Sequence, residues 1–478
     1  MLFNSIEFAI FLPVVFLIYW FVVNRSLRLQ NTFLLAASYF FYGWWDWRFL
    51  LLIMISSLAD YSIGLALNKQ SNQAIRKSLL FTSIFLNIGL LGFFKYYNFF
   101  VESFIEAFSF LGYSTSPGLL NIILPVGISF YTFQTLSYTI DVYKNKLQPT
   151  KDIISFFTFV SFFPQLVAGP IERAKNLLPQ FYTKRYFNPA EATDGMRQIL
   201  WGFFKKIVIA DNCAFYVDDI FTNYQNYPGS TLFLGVFFFS IQIYGDFSGY
   251  SDIAIGTAKL FGINLMRNFS FPYFSRDIAE FWRRWHISLS SWFKDYIYIP
   301  LGGSRTGSFC KVRNIFIIFI VSGFWHGANW TYIFWGLLHA CYFLPLMFLK
   351  RNRKNLDIVA RDRLLPNFIE LLNIGSTFLL VMLAWIFFRA ENITKAFDYL
   401  FRMINPSIFS LPHKIPIYVL GLIIFLIIIE WLQRDKQHAL QIDDYKFSKF
   451  LRWGCYYFII FLIMIFGATK QTFIYFQF

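Results

Sequence analysis

Residues 281–292 read FWRRWHISLSSW and residues 321–336 read VSGFWHGANWTYIFWG. Each sets one histidine, His286 or His326, among aromatic side chains in a chain with little charge. Free imidazole titrates near pH 6.5, so at neutral pH it can take a proton from a hydroxyl and return one to a leaving group. Burial favours its neutral, basic form. The chemistry these positions offer is general acid–base catalysis. His326 lies between Gly323 and Gly327, which can break helical geometry and free backbone groups. The apolar helix that begins after Arg313 is then about 13 residues, or roughly 20 Å, shorter than the hydrocarbon thickness, which places His326 inside the membrane. A histidine that packs between helices and donates to a carbonyl is the alternative for His326. It is the reading for His339, which follows in an apolar helical run; His413 and His438 fall in loops.

The elements that must position these groups can be read on either side. Asp277 with Glu280 three residues on has the spacing of a capping box, which predicts a helix carrying Arg283, Arg284, Trp285 and His286. Trp282, Trp285, Leu289 and Trp292 share one approximate face of it. Such a helix lies at an interface or lines a cavity, with the arginines on lipid phosphates or on the phosphates of a ligand. Upstream, GDFSGYSD at 245–252 sets Asp246, Ser248, Tyr250 and Asp252 in an apolar run. A charge at membrane depth costs roughly 2.5–3.5 kcal/mol on insertion scales, so these residues, with Arg283, Arg284, Trp285, Trp325 and Asn329, are read as lining a channel or binding substrate.

Other chemistries lack their signatures. The histidines have no short metal-ligand spacing and no HExxH occurs, so no metal site is expected. No Walker loop, GxGxxG or GxSxG is present. Cys213, Cys310, Cys341 and Cys455 form no CxxC pair and read as small apolar fillers.

The composition sets the scale of the fold. Of 478 residues 57% are hydrophobic, 14% are charged and 65 are Phe, a balance that belongs to a polytopic membrane protein. Apolar runs recur at 6–23, 31–45, 47–66, 78–95, 119–140, 153–168, 199–217, 230–262 and 312–349, with three more after 366. They predict an all-α protein of about 10 to 12 crossings, some re-entrant, in one membrane domain over 1–478. The first run has no basic n-region and no cleavage site, so it is not a removable signal peptide. The net charge of +15 resides in loops and does not indicate a nucleic-acid partner. Residues 350–363 carry six basic and two acidic side chains and read as cytoplasmic, as do the basic loops at 69–77 and 434–452. Counting from them, and from Arg25 and Arg28, places both termini outside.

DFSGYSD at 246–252, FWRRWHISLSSWFKDYIYIPLGG at 281–303, FWHGANWTYIFWG at 324–336 and FIYFQF at 473–478 together resemble the membrane-bound O-acyltransferase (MBOAT) family. The alginate and peptidoglycan O-acetyltransferase branch is the most similar. MLFNSIEFAIFLPVVFLIYW and FFPQLVAGPIER at 162–173 fit the same branch, so the resemblance covers nearly the whole chain. It implies a ring of transmembrane helices, with re-entrant and amphipathic helices, around a central channel. His326 stands at the family's invariant central histidine and His286 at its second. It also implies a bacterial inner-membrane enzyme with no bound cofactor. Such an enzyme takes acetyl from cytoplasmic acetyl-CoA and passes it outward to a hydroxyl for O-acetylation of a polysaccharide. This chain has no hydrolase-like domain, so a separate extracytoplasmic acetyltransferase or esterase-like partner is implied.

On this reading His326 is the general base on the accepting hydroxyl, and His286, Arg283 and Arg284 orient it or hold coenzyme A phosphates. Related systems add a role for Tyr475: a phenol of pKa about 10 leaves more readily than an alkoxide, so a tyrosyl ester can relay the acyl group. An interfacial aromatic anchor is the other account of Tyr475. D-alanyl or other acyl transfer to teichoic acid, lipid or protein, and a polysaccharide transporter, are the competing functions.

Overall fold

A computed structural model describes residues 1–110, 119–167, 169–305, 307–442, 448–467, 471, 473 and 474. Among these residues the regular structure is entirely helical. Seven helices among the described residues are long and apolar enough to cross a membrane, and Ile6–Val22, Ile153–Leu166 and Ile417–Leu432 are shorter apolar helices. The chain is a multi-pass α-helical membrane protein. It divides into two compact units, one of residues 1–193 and 257–266, the other of 194–256 and 267–478.

In the first unit Arg48–Lys69, Gln73–Leu91 and Ile128–Tyr143 pack together. The apolar run at 119–140 does not form one helix from its start: Pro125 and the left-handed Gly127 (φ 77°) delay the helix to Ile128. Between the three helices lies a fully buried carboxylate, Asp60. It accepts hydrogen bonds from Ser83 Oγ (2.5 Å), Thr139 Oγ1 (3.0 Å) and Asn87 Nδ2 (2.8 Å), the satisfaction that buried polar oxygens require.

In the second unit the 32-residue helix Gly229–Leu260, whose last turn belongs to the first unit, runs against the segment that follows Pro189. The crossing is made by glycine: a Cβ at Gly202 would stand 2.6 Å from the Gly249 carbonyl, and one at Gly249 would stand 2.8 Å from the Gly202 carbonyl. Close backbone approach at small residues is a membrane-helix device. Here it brings Lys205 and Lys206, in the π-helical stretch Phe204–Ala210, against the carboxylates of the longer helix. The run at 312–349 is a hairpin of Ser308–His326 and Trp330–Phe348, turning at 327–329. Gly323 does not break the first helix. Its bare face admits the Tyr332 carbonyl, as Gly336 admits that of Phe319, and the helix runs 19 residues to end at His326.

Candidate functional site

His286 does not sit on a continuous amphipathic helix. Asp277 caps the helix Ile278–Arg284, its side chain accepting from Glu280 N at 2.7 Å. Glu280 does not close the box, and its carboxylate instead accepts from Arg276 N and Nε at 2.8 and 3.0 Å. The helix stops at Arg284, Trp285 is extended, and His286 takes a left-handed conformation (φ 44°, ψ 54°) before Ile287–Phe293 resumes. The single face expected for Trp282, Trp285, Leu289 and Trp292 is thereby interrupted. Backbone groups that would have continued the helix are captured by a neighbouring segment: Ile287 N donates to Asn268 O (2.9 Å) and Ser270 N to Arg284 O (2.9 Å).

A left-handed non-glycine residue stores on the order of 1–3 kcal/mol and persists only where its surroundings fix it. Asn268 does the fixing. Its Oδ1 meets His286 Nδ1 at 3.1 Å and accepts from Ser288 Oγ at 2.8 Å, while its Nδ2 donates to Ser251 Oγ at 3.1 Å. Because Oδ1 can only accept, Nδ1 carries the proton and Nε2 keeps its lone pair. Nε2 is buried with no hydrogen-bond partner among the described residues. His286 lies outside the long apolar helices, and burial pushes its imidazole down to about 3, so it stays neutral.

His326, only 4% exposed, is walled by rings. Trp325 lies 5.0 Å away centroid to centroid, Trp335 5.3 Å, Phe388 5.3 Å and His286 6.3 Å, the last with Trp325 also beside it at 5.9 Å. The structure therefore brings together His326, His286 and Trp325. Trp285 belongs to an adjoining aromatic stack with Phe281, Phe269 and Trp385. His339 is fully buried and accepts from Trp282 Nε1 at 3.3 Å.

The other expected residues are engaged elsewhere. Arg283 donates to the carbonyls of Asn352 (2.8 Å) and Asn355 (2.7 Å). Arg284 pairs with Glu280 at 2.8 Å and donates to Asp357 O at 3.1 Å. Both thus tie the short helix to the basic loop, where the Arg276 guanidinium holds the Asp357 carboxyl below its usual range. Asn329 caps the Trp330 helix, accepting from Thr331 N at 3.0 Å, and donates to Glu391 O at 2.8 Å. Asp246 pairs with Lys206 at 2.7 Å. Ser248 accepts from Lys205 at 2.8 Å and Asp252 pairs with Lys205 at 2.6 Å. The Tyr250 ring lies 4.2 Å from Phe473. Tyr475 lies outside the described residues.

Sequence reasoning missed Lys205, Lys206, Asn268 and Glu430. The first two and Glu430 did carry a signal, charge inside the apolar runs at 199–217 and 417–432. Glu430 is buried and accepts from Tyr244 Oη at 2.9 and 2.8 Å. A small polar cavity is lined by Lys205, Asp252, Arg267, Glu430, His438 and Asn268, so Asn268 serves both it and His286. No cluster of three or more His, Cys, Asp or Glu able to hold a metal occurs among the described residues.

Residues 34–384 match the model of MBOAT, the membrane-bound O-acyltransferase family. This chain belongs to that family. It is an acyltransferase, and the MBOAT match spans the glycine crossing, both histidines, Trp325 and Trp335. The chain is 42% identical over 399 residues to the probable alginate O-acetylase AlgI of Pseudomonas aeruginosa, covering 83% of this chain and 73% of that one. It is 33% identical to the peptidoglycan O-acetyltransferase of Helicobacter pylori, over 100% of this chain and 98% of the relative. To the teichoic acid D-alanyltransferase of Bacillus subtilis it is 31% identical over 46% of this chain and 58% of the relative.

Proposed function

We propose that this MBOAT protein moves an acetyl group from cytoplasmic acetyl-CoA across a bacterial inner membrane for O-acetylation of a cell-surface or secreted polysaccharide of the alginate or peptidoglycan kind, with His326 as general base. The observation that carries this reading is the pair of buried imidazoles, 6.3 Å between centroids, enclosed by indole and phenyl rings. Two proton-transfer groups suit a reaction whose electrophile arrives already activated, as a thioester does. The accepting hydroxyl gives its proton to His326 as its oxygen bonds to the thioester carbonyl carbon. The tetrahedral intermediate then expels the coenzyme A thiolate, which takes the proton from His326, leaving an ester and free thiol. His286, with Nε2 unprotonated, acts as a hydrogen-bond acceptor that orients the hydroxyl or the His326 ring. Tyr475 is the candidate first acceptor, and a separate extracytoplasmic protein completes delivery to the glycan. Full-length similarity to a peptidoglycan O-acetyltransferase, against about half-length similarity to a D-alanyltransferase, supports acetyl over D-alanyl as the group moved.

The test is mass-labelled acetyl-CoA supplied to membranes that contain the protein and its acceptor polysaccharide, followed by identification of the labelled product. Acetyl ester on the glycan is the expected result. His326→Ala should abolish it while the protein still inserts into the membrane. Labelling that survives this substitution, or label found on lipid or teichoic acid, would reject the assignment.

A further inference from the structure

Lys206 is buried in the second unit, its side chain 1% exposed, and its ammonium meets two carboxylates, Asp211 at 2.8 Å and Asp246 at 2.7 Å, which are nearly as buried. One cation faces two anions, and a buried charge left uncompensated is expensive. The compensation comes from the backbone of Gln471 and Ile474. Ile474 N donates to Asp246 Oδ2 at 2.7 Å, the Gln471 carbonyl accepts from Lys206 Nζ at 3.3 Å, and the Gln471 backbone also bonds Asp211. Between these contacts Phe473, wholly buried, sets its ring 4.2 Å from Tyr250 and 6.3 Å from Phe247. Phe247 in turn lies edge-on to His286 at 4.7 Å.

We propose that Lys206, Asp211 and Asp246 form a latch that captures the backbone of Gln471 and Ile474, and that this latch positions the acyl-transfer site through Phe473, Phe247 and His286. On this assignment Asp246 is a positioning residue and not a contact for substrate. Backbone capture explains why ions are used: an amide and a carbonyl offer no apolar handle, and charge-assisted hydrogen bonds in a water-poor interior are the strongest available to them. The functional half of the inference rests on the acyltransfer reading given for His326 and His286.

The experiment is hydrogen exchange read by mass spectrometry on the full chain in lipid nanodiscs, paired with acetyl-transfer turnover. Three variants are compared with the parent. Lys206→Met removes the cation; Phe473→Ala leaves the ion cluster whole and removes only the inserted ring; His326→Ala leaves the latch untouched. The parent should protect the Gln471 and Ile474 amides at least tenfold over an unstructured peptide. Lys206→Met should abolish that protection and lower turnover at least tenfold, Phe473→Ala should lower turnover at least tenfold with these amides still protected, and His326→Ala should lose turnover with protection kept. An unprotected parent, or unchanged protection in Lys206→Met, overturns the latch, and parental turnover in Phe473→Ala overturns the route through Phe473. Protection lost with turnover intact overturns its positioning role. Turnover that survives His326→Ala overturns the catalytic assignment alone, because the exchange result stands without it.

Discussion

Replacing Asn268 with Ala should cripple transfer without touching any reacting atom. The substitution removes the acceptor for His286 Nδ1–H and for Ser288 Oγ and the donor to Ser251, in a site where Asn268, His286 and Ser288 are all fully buried. A buried donor left unsatisfied costs about 1–3 kcal/mol, and His286 also loses the contact that offsets its left-handed strain. If the loss falls only on the orientation of the ring, 1–3 kcal/mol at about 1.4 kcal/mol per decade lowers kcat roughly 5- to 150-fold. The KM for acetyl-CoA should barely move, since Asn268 acts through His286. A purely structural role would give a loss of folded protein instead, so the assay is steady-state transfer in nanodiscs normalised to folded fraction. Asn268→Asp supplies the sharper reading. It keeps the acceptor at Nδ1 but adds a negative charge, which favours imidazolium and lifts the His286 pKa from about 3. Imidazolium has no lone pair at Nε2, so activity should fall on the acid side at a higher pH than in the parent. An unshifted acid limb in Asn268→Asp, together with parental kcat in Asn268→Ala, would refute the argument that Asn268 sets the state of His286.

Further outcomes follow from other parts of the chain. Gly249→Val should destabilise the protein by about 1–3 kcal/mol, because even its Cβ would stand 2.8 Å from the Gly202 carbonyl; thermal melting in detergent measures this. In the first unit, burial raises the Glu172 carboxyl to about 7 against 4.5 for the free side chain. The folded state therefore holds the proton more tightly, so stability falls as pH rises from about 4.5 to 7 and is flat above. Glu172→Gln should remove that slope from the melting temperature, a change of a few degrees. Tyr475→Phe separates relay from anchor: transfer to the glycan should be lost if the phenol carries acetyl and kept if the ring only anchors.

What could be read from the residues was set by periodicity and by residue type. The multi-pass helical architecture was legible because long uncharged runs have few other uses, and His326 stood out because imidazole is scarce in such runs. The break at Trp285–His286 was not legible. Nothing in RRWHIS marks a left-handed residue, and its cause lies at Asn268, eighteen positions upstream. Gly323 read as a helix breaker because a glycine's freedom is visible in sequence, whereas its use as a docking face for the Tyr332 carbonyl depends on a partner helix. Arg283 and Arg284 were readable as charge but not as partners of carbonyls in the 352–357 loop. Lys205 and Lys206 carried a visible anomaly, and pairing them with Asp252 and Asp246 required the glycine crossing.

The rings around His326 bear on a competition that any thioester-using enzyme faces. Water attacks the same carbonyl carbon as an alcohol does and is present at far higher concentration. Trp325, Trp335 and Phe388 wall the imidazole with rings 5.0–5.3 Å away between centroids, so a small solvent molecule activated there would meet mainly ring surface, while a larger alcohol is held by the rest of its own structure. Under the proposed mechanism, fidelity toward the alcohol is a property of the enclosure, and wasteful hydrolysis is suppressed before any bond is made.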